Sequence, residues 1–294
     1  MLLTNSTIMK LKSYLLTSIL LFSFFFITAQ NREVKPVTLD KISDNLYQVL
    51  GGRGATGGMY IGENKVLIID SKMDKASVDG IYKAVKEVTD KPVTLLVNTH
   101  SDGDHINGNP FFPESVTIIA HENCRKEFFH PQRNGEPSKW SSDELKPFVP
   151  EITFKEQMKL HLGNQTVELH YFGIGHTTGD LVVYFPKEKT AFIGDQIFWG
   201  RPQLIHSYKG GNLFEHVKTT QKLLSLDAEK FCSGHAEIKT RKDVQQHLVE
   251  IVAFQEKVKG FVDQGKTLEE TKSEFEQNEG RLVEVIYNEL NAMN

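Results

Sequence analysis

His100-Ser101-Asp102-Gly103-Asp104-His105 places four potential metal ligands within six residues. The segment follows the apolar run Thr94-Leu95-Leu96-Val97, which predicts a buried strand. A short polar loop at the end of a rigid strand can hold metal ligands in fixed positions. We therefore predict a metal-binding loop over residues 100–105. The alternative is a polar turn whose acidic residues occur by chance.

Three later segments share this design, because each ends an apolar or glycine-rich run in His or Asp. His176 lies in Gly175-His176-Thr177-Thr178-Gly179-Asp180, Asp195 follows Ala191-Phe192-Ile193-Gly194, and His235 follows Phe231-Cys232-Ser233-Gly234. Four loops of this kind predict one shared site and argue against a chance cluster at residues 100–105.

The ligand types indicate which metal the site would hold. Asp and His without a thiolate favour zinc, followed by iron or manganese. The seven candidate ligands are His100, Asp102, Asp104, His105, His176, Asp195 and His235. Seven ligands exceed the needs of one tetrahedral ion, so we predict two divalent metal ions. Asp195 is suited to bridge them, because a carboxylate has two oxygens.

The amino terminus has the composition of an export signal. Lys10 and Lys12 precede a strongly apolar run over residues 15–26, and the small residue Ala29 follows it. This order predicts a secretory signal peptide over residues 1–29 and a periplasmic or secreted mature protein. The apolar run is short for a transmembrane span, so we expect no stable membrane insertion after cleavage. An uncleaved anchor is the alternative.

The bulk composition is that of an ordinary folded protein. The 294 residues are 39% hydrophobic and 24% charged, which favours a packed core over disorder. Without residues 1–29, which contain two lysines and no acidic residue, the formal net charge falls from −4 to −6. This charge argues against a nucleic-acid partner, since phosphate binding needs a basic face. We expect a small-molecule substrate. Cys124 and Cys232 form no disulfide framework, and their pairing stays open.

The hydrophobic pattern predicts strands followed by helices, twice over. Strands are predicted at 46–50, 59–61, 66–70, 94–97, 116–120, 160–162, 167–171, 181–185 and 190–193, and helices at 75–88, 213–226 and, with a break at 265–267, 244–294. This order suggests two sheets packed face to face with helices outside. We predict a catalytic domain at 30–250 and a helical extension at 251–294. Residues 51–58 are predicted to form a hairpin turn, and residues 121–150 a surface excursion.

Several polar residues have a structural interpretation beside a functional one. Lone histidines are more often surface or core residues than ligands, and this applies to His121, His161, His170 and His206. Asp70 is interpreted as a loop cap that accepts backbone N–H groups. Trp199, Arg201, His206 and Tyr208 follow Asp195 on a loop that should lie near the site, and the first three of them are the candidate substrate-binding residues. Arg201 is the candidate for holding a substrate carboxylate, and a solvated loop is the alternative.

The order of the four ligand loops resembles the metallo-β-lactamase-fold superfamily over about residues 38–250. Its signature is His-x-His-x-Asp-His, then His in a Gly-His-Thr context, Asp after Gly, and a final Gly-His. The resemblance implies an αββα four-layer sandwich of two mixed sheets with a dinuclear site at one sheet edge. It implies one metal held by His100, Asp102 and His176, another by Asp104, His105 and His235, and Asp195 between them. Residues 183–186 and 210–212 resemble a periplasmic hydrolase branch of unassigned substrate.

One position departs from that signature, because its second His is Asp102 here. A third carboxylate adds negative charge beside the metals. We hypothesise a less electrophilic centre, with a bound-water pKa somewhat above the ~7 of strongly activated zinc water. Two His and one carboxylate around each ion also suit iron.

The resemblance implies metal-dependent hydrolysis of an ester, lactone, thioester or amide by a metal-held hydroxide. Asp104 and Asp195 are the predicted catalytic residues, Asp104 orienting the nucleophile and Asp195 holding the metal pair. The alternatives are a true β-lactamase and a non-haem iron enzyme of the sulfur-dioxygenase or flavodiiron type. A binding protein that lost a metal, and a nuclease or phosphodiesterase, are weaker alternatives.

Overall fold

Two mixed β-sheets lie face to face in this protein. The computed structural model describes residues 34–131 and 135–293, and the predicted signal peptide at 1–29 lies outside them. Within these described ranges one sheet has seven strands and the other has six.

The first sheet has the strand order β1-β2-β3-β4-β5-β6-β7. Its strands are β1 (Thr38–Lys41), β2 (Leu46–Leu50), β3 (Gly57–Ile61), β4 (Val66–Ile69), β5 (Val93–Val97), β6 (Thr117–His121) and β7 (Ile152–Phe154). Strands β1 to β4 pair antiparallel, whereas β4 to β7 pair parallel. The β2–β3 pairing confirms the hairpin predicted at residues 51–58.

The second sheet has the order β13-β12-β11-β10-β9-β8. Its strands are β8 (Gln157–His161), β9 (Thr166–His170), β10 (Val182–Phe185), β11 (Thr190–Gly194), β12 (Lys230–Ser233) and β13 (Lys239–Thr240). The pair β11–β12 is parallel and the other pairs are antiparallel. Parallel pairs such as β4–β5 and β11–β12 bring strand ends from distant parts of the chain to one edge.

Helices cover the outer faces of both sheets. Their bounds are α1 (Lys75–Val88), α2 (Gly103–Ile106), α3 (Glu122–Phe128), α4 (Leu213–Leu223), α5 (Arg241–Asp263), α6 (Leu268–Lys272) and α7 (Gly280–Met293). Helix α1 begins after Asp74, whose carboxylate accepts the Ser77 N–H, and α6 begins at a capping box formed by Thr267 and Glu270. Among the described residues, no helix has both the length and the apolar character to cross a membrane.

The apolar side chains form layers that match this architecture. Alternate residues of β4 point to opposite faces, so Leu67 packs between the sheets and Ile68 packs toward α1. On the outer face of the second sheet, Ile193 packs with Leu223 of α4 and Val244 of α5. The predicted arrangement of two sheets between helices, an αββα sandwich, is confirmed.

The described part of the predicted surface excursion, residues 121–131 and 135–150, contains a small buried core. Helix α3 follows β6 directly, and Cys124, Phe128 and Trp140 are buried with Ile106 in a small core of their own. The sequence did not predict this core, because its apolar residues are widely spaced among four prolines and many polar residues. Cys124 and Cys232 are both buried free thiols in different clusters.

The carboxy-terminal helices are joined to the rest of the fold by more than one contact. Helix α5 runs through the boundary predicted between residues 250 and 251, and residues 36–294 form one compact unit. Helix α7 packs against α4 and α5 through Ile286 and its neighbours. The Glu289 carboxylate accepts the N–H groups of Leu213 (2.8 Å) and Phe214 (3.3 Å), which caps the first turn of α4.

A buried histidine pair joins α4 to α5 and gives the fold a sensitivity to acid. His216 Nε2 lies 3.0 Å from His247 Nε2, and both side chains are buried. Burial lowers the pKa of His247 to about 4, from an ordinary value of 6.5, and burial together with the charge of His247 lowers the pKa of His216 well below its ordinary value. The unfolded chain therefore binds protons that the folded chain excludes, so this stability is complete above pH 6.5 and falls toward pH 4.

We expect His247→Gln to flatten the acid dependence of stability by up to about 3 kcal/mol between pH 6.5 and pH 4. Gln retains a hydrogen-bonding group opposite His216 but does not titrate. Urea unfolding at pH 7.5 and pH 4.5 checks this, because any packing cost appears equally at both values. An identical pH dependence in the two proteins would contradict it.

Candidate metal centre

The predicted ligands lie at the ends of strands on one edge of the sandwich. His100 and Asp102 follow β5, Asp195 follows β11, and His235 follows β12. The loops are bonded to one another: the Leu181 N–H donates to the Thr99 carbonyl (2.8 Å), and the Thr56 N–H donates to the Gly234 carbonyl (2.7 Å). Backbone bonds of this kind place ligand loops from both sheets against each other.

The first group of ligand atoms comprises those of His100, Asp102, His176 and Asp195, which all lie within 4.8 Å of one another. Asp102 Oδ2 lies 3.1 Å from His176 Nε2 and 3.7 Å from His100 Nε2. Asp195 Oδ2 lies 3.9 Å from His100 Nε2. We call these four residues the first cluster.

The second group comprises Asp104, His105 and His235, again within 4.8 Å of one another, and we call it the second cluster. His235 Nε2 lies 3.1 Å from Asp104 Oδ2. Asp195 reaches this cluster as well, because its Oδ1 lies 3.2 Å from His105 Nε2 and its Oδ2 lies 3.1 Å from His235 Nε2. Asp195 therefore stands between the two clusters, as expected of a bridge.

Buried atoms without hydrogen-bond partners give a second indication that these residues could hold metal. Within the described parts of the chain, His100 Nε2, His105 Nε2 and Asp195 Oδ1 are buried atoms without a hydrogen-bond partner. Buried polar atoms normally have such partners, and leaving one unpaired costs about 1–3 kcal/mol. Cations bound at these residues would give all three atoms a partner.

The rear nitrogens of two candidate ligand imidazoles, those of His105 and His176, are held by fixed partners. His105 Nδ1 lies 2.7 Å from Asp70 Oδ2, and His176 Nδ1 lies 2.8 Å from the Leu204 carbonyl oxygen. These contacts leave Nε2 of each ring facing the centre. Asp70 also accepts the Thr99 N–H and hydroxyl at 2.8 Å each, and it adopts a left-handed backbone with φ of 61°. A non-glycine residue in that conformation is strained, which is common at functional sites.

The charges of the site favour cations. Burial opposes protonation of His176, but its hydrogen bond to Asp102 and the charge of Asp102 raise its pKa to about 9. Burial likewise opposes protonation of His235, yet hydrogen bonds to Asp104 and Asp195 raise its pKa to about 9. Burial alone would raise the pKa of Asp195, but the surrounding histidines hold it well below its usual range. Metal ions bound at these positions would compete with the protons that the raised histidine pKa values favour.

A family model for the Metallo-beta-lactamase superfamily matches residues 51–235, which is more than half of the chain and spans all four ligand loops. The chain belongs to the metallo-beta-lactamase superfamily. The family resemblance and the prediction of a metal-dependent hydrolase are confirmed.

Individual relatives of the superfamily are distant in sequence. Metallo-beta-lactamase type 2 of Elizabethkingia meningoseptica is 24% identical over 244 residues, covering 79% of this chain and 92% of that protein. The 2,4-dinitroanisole O-demethylase subunit alpha of Nocardioides sp. (strain JS1661) is 25% identical over 200 residues, or 66% of this chain and 54% of the subunit. This chain therefore spans about half the length of that subunit.

Solved metallo-beta-lactamases share the fold. The enzyme from Pontibacter korlensis superposes with a TM-score of 0.60 at 18% identity, covering 73% of this chain and 98% of its own. DIM-1 metallo-beta-lactamase superposes with a TM-score of 0.59 at 20% identity, covering 74% and 99%. Likeness at this identity is likeness of fold alone.

The three predicted substrate-binding residues differ in how close they lie to the candidate metal ligands. His206 Nε2 lies 2.8 Å from Asp102 Oδ2, so this histidine contacts the first cluster directly. Arg201 lies over the ring of Phe198 at 4.1 Å, and Phe198 stacks on His235. Trp199 is partly buried in the apolar layer near α4 and α5. The four histidines interpreted as structural thus include one, His206, that touches a candidate ligand.

Three residues that support the site were missed from sequence. Asp70 was interpreted as a loop cap, and it is one, but it also orients His105. Glu127 of α3 accepts hydrogen bonds from Ser101 and from the Thr178 N–H (2.8 Å), which joins two ligand loops. Lys209 donates to Asp102 at 2.6 Å. The carboxylate at the end of β4 was the one available signal, because β4 lies parallel to β5 and ends beside it.

We expect Asp70→Asn to weaken metal binding at the second cluster by about 10- to 100-fold, because His105 loses the charged partner that orients its ring. Competition with a coloured chelator on the purified protein measures the affinity. Asp79→Asn, at an exposed carboxylate of α1 paired with Lys75, is the matched control and should bind metal as the parent does. Unchanged affinity in Asp70→Asn would show that the Asp70–His105 contact plays no part.

Proposed function

We propose that this protein is an exported hydrolase that uses two divalent metal ions, with zinc favoured, to cleave an ester, lactone, thioester or amide of a small molecule. The position of Asp195 between the two clusters carries the proposal. A single carboxylate within 3.2 Å of His105 and 3.1 Å of His235, and also in the first cluster with His100, supports two adjacent cations more readily than one.

Cations held there would supply Lewis-acid activation of water and of the substrate carbonyl. The first cluster and the second cluster would each hold one ion, with Asp195 shared. Fixed rear contacts from Asp70 and Leu204 would keep the imidazoles from turning away during reaction. Because the centre is largely buried, the electrostatic effect of these groups is stronger than it would be in water.

The second cluster is the accessible side of the centre. The side chains of Asp104 and His235 are 30% and 32% exposed, whereas those of His100, His105 and His176 are buried. Substrate would therefore approach over Asp104, the carboxylate proposed to orient the attacking water. Phe198 stacks on His235 and carries Arg201 above it, which places a cation near the entrance for an anionic group of the substrate.

β-Lactam hydrolysis is the second candidate function. A metallo-beta-lactamase type 2 is 24% identical to this chain over a match that covers 92% of that relative. Export of this chain would fit an enzyme that acts on β-lactams outside the cytoplasm. Asp102 in place of the signature His argues against direct transfer of that activity. Cleavage of an aromatic methyl ether is suggested by the O-demethylase relative, although this chain spans only about half of that subunit.

Elemental analysis combined with a substrate panel tests the proposal. Mature protein purified without added metal is analysed for zinc, iron and manganese, then assayed on thioester, lactone, nitrocefin and phosphodiester substrates. We expect about two equivalents of divalent metal, hydrolysis of a carbonyl substrate, and loss of that activity after chelation with recovery on zinc addition. Activity that survives complete metal removal would overturn the proposal. Iron with oxygen consumption would favour the dioxygenase alternative.

Periplasmic fractionation with amino-terminal sequencing tests the predicted cleavage after residue 29.

A further inference from the structure

Asp102, the residue that departs from the superfamily signature, has both of its carboxylate oxygens engaged. Oδ1 accepts from Lys209 Nζ at 2.6 Å, and Oδ2 lies 2.8 Å from His206 Nε2 and 3.1 Å from His176 Nε2. The side chains of Asp102 and Lys209 are 14% and 10% exposed. This is a nearly buried ion pair, and such a pair orients its members more firmly than a surface pair does.

Lys209 is itself fixed in place. Its ammonium donates to the Ser101 hydroxyl (2.8 Å) and to the Ser101 carbonyl (3.2 Å), so its three donors all point at two consecutive residues of the metal loop. Lys209 belongs to residues 206–211, which we call the clamp segment, and its side chain extends from there to the 100–105 loop. Lys209 therefore both holds Asp102 in position and neutralises its charge.

The clamp segment is anchored on another candidate ligand. The His206 N–H donates to the His176 carbonyl at 2.8 Å, and Gly211 lies so close to that carbonyl that a Cβ atom would collide with it. Gly210 has a φ of 81°, the left-handed conformation that ends the short turn carrying Lys209. A glycine pair thus lets the backbone press against the His176 loop while Lys209 reaches the 100–105 loop.

We propose that Lys209 is a positioning residue that fixes Asp102 Oδ1 and cancels its charge, leaving Oδ2 to face the first metal position. The ion pair Asp102–Lys209 then replaces the neutral His of the superfamily signature without changing the net charge beside the metals. This inference rests on the proposed function, since it concerns the same centre. It also revises the expectation of a less electrophilic centre, because that expectation counted the ligands and omitted Lys209.

The pair predicts a specific pattern of metal affinities. Asp102→His alone restores the signature but leaves Lys209 as an uncompensated buried cation beside a metal position, so affinity at the first cluster should fall about 10-fold or more. Adding Lys209→Met removes that repulsion and should return the affinity to near the parent value. Lys209→Met alone frees the Asp102 carboxylate to rotate, and we expect this lost orientation to outweigh the removal of a positive charge and to weaken the first cluster by about 10-fold. Removal of Lys209 thus helps in one background and harms in the other.

The four proteins are compared by cobalt(II) titration against a competing chelator, with the visible spectrum recording the geometry at each site. Lys139→Met is the matched control, because Lys139 donates to Asn107 of the same loop region at 2.7 Å and has no ligand among its described hydrogen bonds. We expect the control to match the parent in affinity and spectrum. Thermal melting confirms that each variant is folded.

Two failures are distinguishable. A parent protein that binds no cobalt or zinc would overturn the proposed function and this inference with it. If the parent binds two ions while Lys209→Met changes the metal affinity equally in the Asp102 protein and in the Asp102→His variant, that result would overturn this inference alone. Where Lys209→Met by itself does not fold, Asp102→His is compared with the double variant, and equal affinities in those two proteins would overturn it.

Discussion

Asp195→Asn is expected to lower hydrolytic activity by more than about 100-fold and to reduce the bound metal from two equivalents toward one. Changing a residue that only supports a ligand costs about 10- to 100-fold, and Asp195 contacts both clusters directly, so its loss should cost more. The amide has nearly the same shape, but its oxygen carries no charge and its nitrogen cannot bind a cation. Activity and elemental analysis of the same preparation measure the two effects.

A second carboxylate controls for the amide substitution itself. Asp143→Asn changes a side chain that is 98% exposed and pairs only with Lys146 among its described ion pairs. We expect this variant to keep parental activity and metal content. Full activity in Asp195→Asn with two bound metals would remove the bridge from the proposed centre, and it would leave the two clusters to be explained separately.

Gly234→Ala is expected to cost about 100-fold in activity, although the residue has no side chain to contribute. A Cβ atom at this position would lie 2.6 Å from His105 Cε1 and still closer to Asp195 Oδ1. The methyl group must therefore displace a ligand of each cluster, and displacement of about 1 Å at a reacting centre can cost 10²-fold. Activity and cobalt binding of the variant check this.

Helix α5 provides the matched glycine control. Gly260 has no atom near enough to clash with an added Cβ, and it occupies a helix interior. Gly260→Ala should leave activity unchanged and stabilise the protein by about 0.5–1 kcal/mol, because alanine loses less backbone entropy on folding. If Gly234→Ala behaves as Gly260→Ala does, the close packing of residue 234 against the ligands is not functionally important.

Most of the fold and of the ligand set could be predicted because both depend on local patterns. Alternating and continuous apolar runs mark strands such as Val66–Ile69, and helical spacing marks residues 75–88. Each ligand loop also begins after a strand or a glycine that is visible in the sequence, so the loops could be grouped without knowing their distances. The roles of those ligands stay predictions until metal is measured.

The residues that support the ligands could not be predicted in this way. Lys209 and Asp102 are 107 positions apart, and no periodicity connects them. Their contact exists because the clamp segment follows the His176 loop across the centre, which is a property of the tertiary fold. Trp140 was missed for a related reason, because isolated apolar residues among prolines and polar residues give no period to detect.

The capping of α4 by Glu289 has a consequence for how the protein is made. The helix that follows the clamp segment receives two of its amino-terminal hydrogen-bond acceptors from a residue near the end of the chain. During synthesis, the segment bearing Lys209 can gain this support only after residue 289 has been added and α7 has folded onto α4. We therefore expect the clamp segment to reach its final position after the sheets have formed.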